Sequence, residues 1–275
     1  MVRLVSGVIL AAAALAAILF LPISALRVLA VAVAGLAAHE FMRIADVTRE
    51  AHGSHVLGGS LTMALHPAPR QWMGVALTVG LGAVIAWQLS VPTEVLLIVA
   101  LGWLALDVLL LGTSIRDAGA AIIAPIYTGA PLGMLAVVHA TYGWRATLML
   151  IATVIVSDSS QYYAGRSFGR RPLAPSTSPK KTVEGAIGGL VCGTAFATLV
   201  GTRLFPEATA AGLVLLGAAI VVLGICGDLF ESRLKRAAGM KDSSALIPGH
   251  GGILDRIDAL LFAAPAFYVY LQVAS

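Results

Sequence analysis

Long apolar runs follow one another along most of this chain, and short polar segments separate them. Nine runs are each about 17–22 residues long, which is enough for a helix to cross about 30 Å of hydrocarbon. Inside lipid the runs must be helical, because a strand would leave backbone groups unpaired. They lie near residues 5–21, 23–41, 72–90, 94–111, 119–140, 146–165, 186–204, 208–227 and 253–273. The pattern predicts an all-α, polytopic integral membrane protein with about nine transmembrane helices.

The first run, Val5–Leu21, follows Arg3 and resembles a secretory signal peptide. A convincing cleavage site is lacking and a second run begins at once, so we expect a retained membrane helix. Residues 42–71 are mixed and polar, with three His and two Pro, which is typical of a loop. We therefore expect about five N-terminal transmembrane helices within residues 1–145, interrupted by a polar loop at 42–71.

Composition points the same way. The 275 residues are 59% hydrophobic and 12% charged, with a mean hydropathy of +0.91. Soluble domains are usually about 45–50% apolar and about 25% charged, so an ordinary soluble domain is excluded. Cys192 and Cys226 both lie in apolar runs, and we expect neither a disulfide framework nor a cysteine metal site.

The charged side chains favour one side of the membrane. When the N-terminus and the even-numbered loops are placed together, that side holds 15 of the 18 Lys and Arg residues, all but Arg27, Arg145 and Arg203. This bias predicts a cytoplasmic N-terminus and an external C-terminus. The same side holds 12 of the 14 acids, all but Glu94 and Glu207. The bias that orients a protein during membrane insertion acts on Lys and Arg and does not explain why the acids lie on the same side. We therefore expect chemistry at the cytoplasmic face.

The most polar part of the chain is the 27-residue stretch Ser232–Asp258, with eight charged residues and a glycine-rich turn at Pro248–Gly252. Charged groups beside apolar membrane runs are costly, which suggests a function. Asp255 and Asp258 share one helix face at spacing i, i+3, and Asp228 ends the preceding run. These acids either complement a helix dipole or converge on a hard divalent cation, for which oxygen ligands favour Mg²⁺ over zinc.

Cationic side chains surround these acids, namely those of Lys235, Arg236, Lys241 and Arg256. Lys and Arg are the natural phosphate binders among side chains. A metal, a cationic cluster and a glycine-rich turn recur together in phosphoryl and nucleotidyl transfer. His250 can act there as a base, a phosphate ligand or a turn residue, and the spacing does not rank these roles.

A second polar loop, at 165–185, follows Asp158. Asp158 is expected inside the membrane span, where it either bonds to neighbouring serines or serves a metal or proton site. Lys180 and Lys181 either touch anionic lipid headgroups or join the phosphate-binding group of the first stretch.

The stretch from Ser232 to Asp258 resembles the signature of the phosphatidate cytidylyltransferases, the CDP-diacylglycerol synthases, of bacterial type. The matching residues are Ser232, Leu234, Lys235, Arg236, Lys241, Asp242, His250, Gly251, Gly252, Ile253, Asp255, Arg256 and Asp258. The second loop also resembles this family, through Asp158, Tyr162, Gly165, Arg166, Phe168, Gly169, Ser178–Thr182, Glu184 and Gly185. Gln161 departs from the family pattern, because a small residue is expected before the tyrosine.

The resemblance implies transfer of a cytidylyl group from CTP to phosphatidic acid, which gives CDP-diacylglycerol and pyrophosphate for phospholipid biosynthesis. It also implies Mg²⁺, a second, monovalent cation such as K⁺, and a homodimer in the cell (inner) membrane whose site faces the cytoplasm. Membrane lipids are expected partners, and nucleic acid is not. The catalytic transmembrane region is then residues 146–275, with cytoplasmic loops at 165–185 and 228–254.

We assign three kinds of role to the residues of these loops. Asp228 and Asp255 are expected to be metal ligands, followed by Asp258 and then Asp158. Lys235, Arg236 and Lys241 are expected to bind phosphate groups of either substrate, as are Lys180 and Lys181. The substrate-binding set also contains Ser232, His250, Gly251, Gly252 and Arg256. Arg256 either touches substrate or holds Asp255 in place.

Two other functions fit part of the pattern. A CTP-dependent lipid kinase acting on polyprenol-like or phytol-like alcohols would share the membrane helices, but the full match at 232–258 argues against it. A membrane transporter would spread charges along several helices to both faces, whereas these charges collect at one face. Glu40 and Asp107, near cytoplasmic helix ends, are expected to snorkel or to pair with a base.

Overall fold

The computed structural model describes residues 2–53, 68–111, 115–244, 246–247 and 251–274, and nearly all of them are helical. The helices are α1 (Val2–Phe20), α2 (Ile23–Gly53), α3 (Ala68–Ala86), α4 (Thr93–Leu111), α5 (Ile115–Ala124), α6 (Ala130–Phe168), α7 (Val183–Leu204), α8 (Ala210–Ala237) and α9 (Leu254–Ala274). A short π-helical segment, Pro125–Gly129, joins α5 to α6. Two short strands, β1 (Pro172–Ala174) and β2 (Ser178–Thr182), lie between α6 and α7.

Five stretches of the described chain are long and apolar enough to cross a membrane. They are Ile23–Thr48, Ala118–Phe168, Val183–Leu204, Ala210–Ala237 and Leu254–Ala274. Large apolar side chains remain exposed on these helices, among them Leu199 of α7 and Leu215 of α8. Such a surface suits lipid rather than water, since soluble proteins rarely expose large continuous apolar patches. The protein is therefore an all-α membrane protein, apart from one small hairpin.

Eight of the nine predicted apolar runs lie within one helix or extend a few residues beyond it, and the fifth crosses α5, the π-helical segment and α6. The agreement is close because the length of an apolar run sets the length of a helix in lipid. Shorter apolar helices cover Ser6–Phe20, Trp72–Ala86 and Glu94–Ala105. The total of nine spans stays a prediction.

The loop boundaries predicted from polarity differ from the structure at three places. Residues 42–53 belong to α2, residues 165–168 belong to α6, and residues 228–237 belong to α8. In each case charged residues end the apolar run while the helix continues, because helix formation does not depend on hydropathy alone. Met42 and Ile44 are also buried, which holds the polar end of α2 against the core. The rest of the predicted loop at 42–71, from 54 to 67, lies outside the described residues.

The fifth predicted run contains two prolines and is not a regular α-helix. Pro125 begins the π-helical segment, and Pro131 lies in the first turn of α6, where a missing N–H costs little. Further along α6, Gly143 has non-helical dihedral angles of φ 79° and ψ 177°. This break separates the predicted fifth and sixth runs, and the predicted boundary between residues 145 and 146 lies just after it.

A β-hairpin connects α6 to α7. The antiparallel strands pair Pro172 with Thr182 and Ala174 with Ser178. The Thr182 side chain then accepts a hydrogen bond from Gly185 N and caps α7. This second predicted loop is therefore an ordered connection that carries Lys180 and Lys181 on β2.

Two buried apolar clusters hold the helices together. One joins α2, α5 and α9 through residues that include Met42 and Leu261. The other joins α6, α8 and α9 through Leu150, Ile220 and Phe267. Helix α7 is held against its neighbours by buried small residues, Gly185, Gly189, Gly193, Ala197 and Gly201, which permit close helix packing. The polar ends of α6, α8 and α9 are thereby brought together.

Candidate active site

A cavity of about 480 Å³ opens between α6, α8, α9 and the segment that follows α8. We call it the acidic cavity, because its lining includes the carboxylates of Asp158, Asp228, Glu231, Asp242, Asp255 and Asp258. Two cationic side chains, Lys235 and Arg256, also line it. Ile151, Val154 and Ile155 of α6 form an apolar wall. The cavity thus has a charged part and an apolar part that can contact hydrocarbon.

The close approach of α8 and α9 places acids from both helices in this cavity. A side chain at Gly227 would collide with the backbone oxygen of Asp258, so only glycine allows this approach. Asp228 follows Gly227 directly, and Glu231 lies one helical turn further along α8. The structure therefore brings Asp158, Asp228, Asp255 and Asp258 to a single cavity.

Lys235 joins the two helices through ion pairs. Its ammonium group donates to Glu231 Oε2 at 2.7 Å and to Asp255 Oδ1. The side chains of Glu231 and Asp255 are 1% and 6% exposed, so these charges are paired in a site with little water. A buried charge that loses its partner is strongly destabilising, which makes this triad sensitive to substitution.

Asp255 also contacts Ser243 and the end of the glycine-rich turn, at Gly251 and Gly252. Its Oδ2 atom accepts hydrogen bonds from Gly252 N at 2.8 Å, Ser243 N at 2.9 Å and Ser243 Oγ at 2.9 Å. Gly251 has a positive φ of 79°, and a side chain there would collide with Asp255. Both Asp255 oxygens thus accept hydrogen bonds, one from Lys235 and the other from the turn.

A second cavity, of about 570 Å³, adjoins the first. We call it the basic cavity, because Arg166, Lys180 and Lys181 line it. Asp158 and Asp228 line both cavities and therefore form their common wall. Across this wall Lys181 forms an ion pair with Asp228, and Ser232 Oγ donates to Asp228 Oδ1 at 3.3 Å.

The other predicted site residues lie near these cavities or at the surface. Arg236 donates to the backbone oxygens of Thr177 at 3.5 Å and Met240 at 3.4 Å, and so links the end of α8 to the hairpin. Lys241 is exposed. Gly252 is buried in the turn beside Asp255. His250 lies outside the described residues, so its predicted role stays open.

The donor set fits Mg²⁺ in chemistry, since the cavity offers carboxylate oxygens and no sulfur. Glu231 Oε1 is buried and has no hydrogen-bond partner, which leaves one donor atom available for a cation. In the described part of the chain, no three His, Cys, Asp or Glu side chains are grouped closely enough to hold a metal ion. The ammonium groups of Lys181 and Lys235 bind carboxylates of this set instead.

Sequence reasoning missed Glu231 and misjudged Glu40. Glu231 lies just before the stretch that began at Ser232, yet its i, i+3 spacing from Asp228 and i, i+4 spacing to Lys235 place all three on one helix face. Glu40 was expected to snorkel or to pair with a base. It is instead buried, and its hydrogen bonds reach the turn before α9. The side chain of Asp107 lies outside the described residues.

Gln161, which departs from the expected family pattern, has a clear contact. Its amide nitrogen donates to Asp158 Oδ1 at 3.0 Å and to Ser157 Oγ at 3.2 Å. Asp158 was expected either to bond to neighbouring serines or to serve a functional site. It accepts this bond from Gln161 while lining both cavities. Gln161 therefore orients one of the two shared carboxylates.

The chain is similar to known cytidylyltransferases. The model of the Cytidylyltransferase family matches residues 1–274. A phosphatidate cytidylyltransferase of Haemophilus influenzae is 45% identical over 142 residues, which are 48% of this chain and 48% of that protein. One from Pseudomonas aeruginosa is 45% identical over 136 residues, 48% of this chain and 50% of that protein. One from Thermotoga maritima is 35% identical over 157 residues, 55% of this chain and 58% of that protein.

The chain spans about half the length of the curated relatives it matches. The family model extends further, over almost the whole sequence. That match agrees with the signature residues, several of which line the two cavities, among them Lys181, Asp255 and Asp258. The chain therefore belongs to the cytidylyltransferase family.

Proposed function

We propose that this protein is a CTP:phosphatidate cytidylyltransferase, which makes CDP-diacylglycerol and pyrophosphate. The observation that carries the proposal is the pair of adjoining cavities with Asp158 and Asp228 as their common wall. A reaction between two anionic substrates, one of them a lipid, needs such a place to bring them together. The names of the relatives from Haemophilus influenzae and Pseudomonas aeruginosa support the same reaction.

In the proposed reaction, an oxygen of the lipid phosphate attacks the α-phosphorus of CTP. A new phosphorus–oxygen bond forms as the bond to the β-phosphate oxygen breaks, and pyrophosphate leaves with the electron pair. The protein supplies no nucleophile. Its task is to hold two mutually repelling polyanions in line and to stabilise the charge of the leaving group.

We assign the triphosphate of CTP to the basic cavity. Arg166, Lys180 and Lys181 provide three positive charges there, and Lys and Arg suit phosphate recognition. Lys181 pairs with Asp228 before substrate binds, so a phosphate group would exchange one anionic partner for another.

We assign the phosphatidate headgroup to the acidic cavity, with Lys235 and Arg256 as its cationic partners, and a bound divalent cation would offset the charge of the carboxylates there. The apolar wall of α6 supports this assignment, because Ile155 is 58% exposed and offers a surface for acyl chains. CTP has no comparable apolar portion. Arg236 and Lys241, predicted to bind phosphate, lie outside this assignment.

We also propose Mg²⁺ as the cofactor, which Asp228, Asp258 and Asp158, with Glu231 as a further donor, would hold once these carboxylates move closer together than in the described structure. When bound, Mg²⁺ would neutralise charge on the pyrophosphate. Asp255 remains a predicted ligand, but its contacts support a role in holding Lys235 and the turn. The monovalent cation such as K⁺ stays a prediction.

The topology is part of the proposal. We place the protein in the cell (inner) membrane with nine spans, a cytoplasmic N-terminus, an external C-terminus and a site that faces the cytoplasm. The distribution of Lys and Arg supports this orientation. CTP and pyrophosphate are soluble, so a cytoplasmic site matches their location. We also expect a homodimer, and this expectation is based only on the resemblance to the phosphatidate cytidylyltransferases.

A reconstituted assay tests the function. Purified protein in proteoliposomes is given Mg²⁺ and CTP labelled in its cytidine, with or without phosphatidate. We expect the label to enter the lipid fraction only when phosphatidate and Mg²⁺ are both present, and CTP to be preferred when each nucleotide is supplied in turn. Label that stays soluble as CDP would instead indicate a CTP-dependent lipid kinase. Turnover of CTP without phosphatidate would contradict the proposed cytidylyltransferase.

A further inference from the structure

A buried carboxylate from the N-terminal part of the chain reaches the turn before α9. Glu40, on α2, is 3% exposed. Its Oε1 atom accepts hydrogen bonds from Ser244 Oγ at 2.6 Å and Ile253 N at 3.1 Å. Its Oε2 atom accepts from Ser243 Oγ at 2.9 Å and Leu254 N at 2.8 Å. All four donors come from residues 203 to 214 positions away in the sequence.

These bonds satisfy the start of α9. The first N–H groups of a helix have no partner within the helix, and a negative charge there is favoured by the helix dipole. Here the capping group comes from another helix instead of the preceding loop. A buried carboxylate is costly unless it is hydrogen-bonded, and each Glu40 oxygen has a backbone N–H and a serine hydroxyl within hydrogen-bond distance. The side chain therefore fixes the position of α9 relative to α2.

Gly252, at the end of the glycine-rich turn, lies against this carboxylate. A side chain at Gly252 would collide with both Glu40 oxygens and with Ser243 Oγ. Gly252 thus leaves the space that Glu40 occupies, and this third glycine of the turn has no room for a Cβ. The same residue donates its N–H to Asp255.

Ser243 links Glu40 to the acidic cavity. Its Oγ atom lies 2.9 Å from Glu40 Oε2 and 2.9 Å from Asp255 Oδ2, and its single hydrogen can be donated to one of them at a time. Asp255 in turn pairs with Lys235. A continuous series of contacts therefore runs from Glu40 through Ser243 and Asp255 to Lys235. Ser244 also bonds to Glu40, and in the described structure its hydroxyl contacts are with Glu40 and Leu246 N.

We propose that Glu40 is a positioning residue for the cytidylyltransferase site, acting through Ser243 on Asp255 and Lys235. This inference rests on the proposed function. Glu40 lines neither substrate cavity and holds the start of α9, so that Asp255 and the turn face the reacting groups in one fixed arrangement. Misplacement of catalytic groups by about 1 Å can cost on the order of 100-fold in rate, so the effect belongs in kcat.

The two serines provide a matched test. Ser243→Ala and Ser244→Ala each remove one hydroxyl donor from Glu40, but only Ser243 also contacts Asp255. We expect kcat to fall about 10- to 100-fold in Glu40→Gln, about 10-fold in Ser243→Ala and less than about threefold in Ser244→Ala, with KM values near wild type. Glu40→Gln combined with Ser243→Ala should be little worse than Glu40→Gln alone, because both act along one path.

If Glu40 only stabilises the fold and does not position catalytic groups, another result is expected. Ser243→Ala and Ser244→Ala would then lower Tm to a similar degree and leave kcat per folded enzyme equal to wild type, which would overturn the proposal. Ser243→Ala changes little volume, so it keeps the test valid if Glu40→Gln fails to fold. Full additivity in the double variant would also contradict a shared path.

Hydrogen exchange gives a readout that does not depend on activity. Glu40→Gln should speed exchange of the Ile253 and Leu254 amides, because a glutamine offers one carbonyl oxygen where two carboxylate oxygens accepted. Amides in the second half of α9 should not change. If wild-type protein makes no CDP-diacylglycerol, the proposed function fails while this exchange still tests the contact. If wild-type protein is active and Glu40→Gln retains both kcat and amide protection, the positioning role is wrong.

Discussion

The two cavities differ in charge although they share a wall. The acidic cavity has six carboxylates and two cationic side chains, whereas the basic cavity has three cationic side chains and only the two shared carboxylates, Asp158 and Asp228. In the sequence, acids and bases are mixed in both loops. The fold separates them because α8 turns its acids toward α9, while the hairpin places Lys180 and Lys181 toward α6. The difference suggests separate binding regions for two anionic substrates.

The largest effect is expected at the shared wall. Asp228 lines both cavities and pairs with Lys181, so Asp228→Asn removes a charge on which both regions depend. We expect kcat to fall on the order of 1,000-fold or more, as when a group that stabilises transition-state charge is lost. Turnover is measured in proteoliposomes, with membrane insertion checked by resistance to alkaline extraction and aggregation checked by gel filtration. Glu207→Gln, an equivalent change at an exposed acid, is the control and should retain activity. Near wild-type turnover in Asp228→Asn would show that the shared wall is not catalytic.

A change confined to the acidic cavity should be nearly as severe. Asp255→Asn leaves Lys235 without its full charge partner and supplies an amide group where N–H donors converge. We expect a loss in kcat of about 100-fold, while the protein remains inserted and folded because Lys235 keeps its ion pair with Glu231. Single-turnover rates with saturating substrates measure this effect. A purified variant with near wild-type rates would contradict a role for Asp255 in the reaction.

A pair of variants tests the assignment of substrates to cavities. Lys180→Ala changes only the basic cavity, and Arg256→Ala changes only the acidic cavity. We expect Lys180→Ala to raise KM for CTP about 10-fold and Arg256→Ala to raise KM for phosphatidate by a similar factor, since a charged contact contributes roughly 1.5–3 kcal/mol. Each variant is the control for the other in steady-state kinetics. Two variants that raise KM for the same substrate would refute the division.

The smallest effect is expected at Gln161, which contacts the shared wall without being charged. Gln161→Ala removes the hydrogen bond to Asp158 Oδ1 and should lower kcat about threefold, the loss typical of one neutral donor. Steady-state kinetics beside wild type measure this change. Gln161→Glu is the informative companion, because a carboxylate beside Asp158 should reduce kcat further. Equal activity in all three proteins would mean that the orientation of Asp158 is unimportant.

Most of the helical framework could be predicted from the sequence. Apolar runs of sufficient length must form helices in lipid, so the positions of α1 to α4 and of α7 to α9 followed from hydropathy, whereas the division between α5 and α6 did not. The positions at which these helices end could not be predicted from hydropathy. Arg43 and Asp46 lie on α2, and Lys235 and Arg236 lie on α8, although their polarity suggested loops. Hydropathy reports where a helix leaves the membrane, and helix propensity and packing decide where it ends.

The site was predictable where its residues are near one another in sequence or match the family signature. Asp228, Asp255 and Asp258 were expected to converge, and they line one cavity. Glu40 could not be linked to α9 from the sequence, because its partners are more than 200 residues away and no local pattern encodes such a contact. The ion pairs of Lys181 and Lys235 likewise depend on the final packing of the helices.

The contact between Glu40 and the start of α9 has a consequence for any attempt to simplify the protein. Residues 146–275 contain the signature and the residues that line both cavities. They could therefore be taken for a catalytic fragment that functions by itself. Such a fragment would lack Glu40 and leave the N–H groups of Ile253 and Leu254 and the hydroxyls of Ser243 and Ser244 without their acceptor. Engineering, whether by truncation or by fusion to a foreign set of membrane helices, would therefore have to supply a carboxylate at this position.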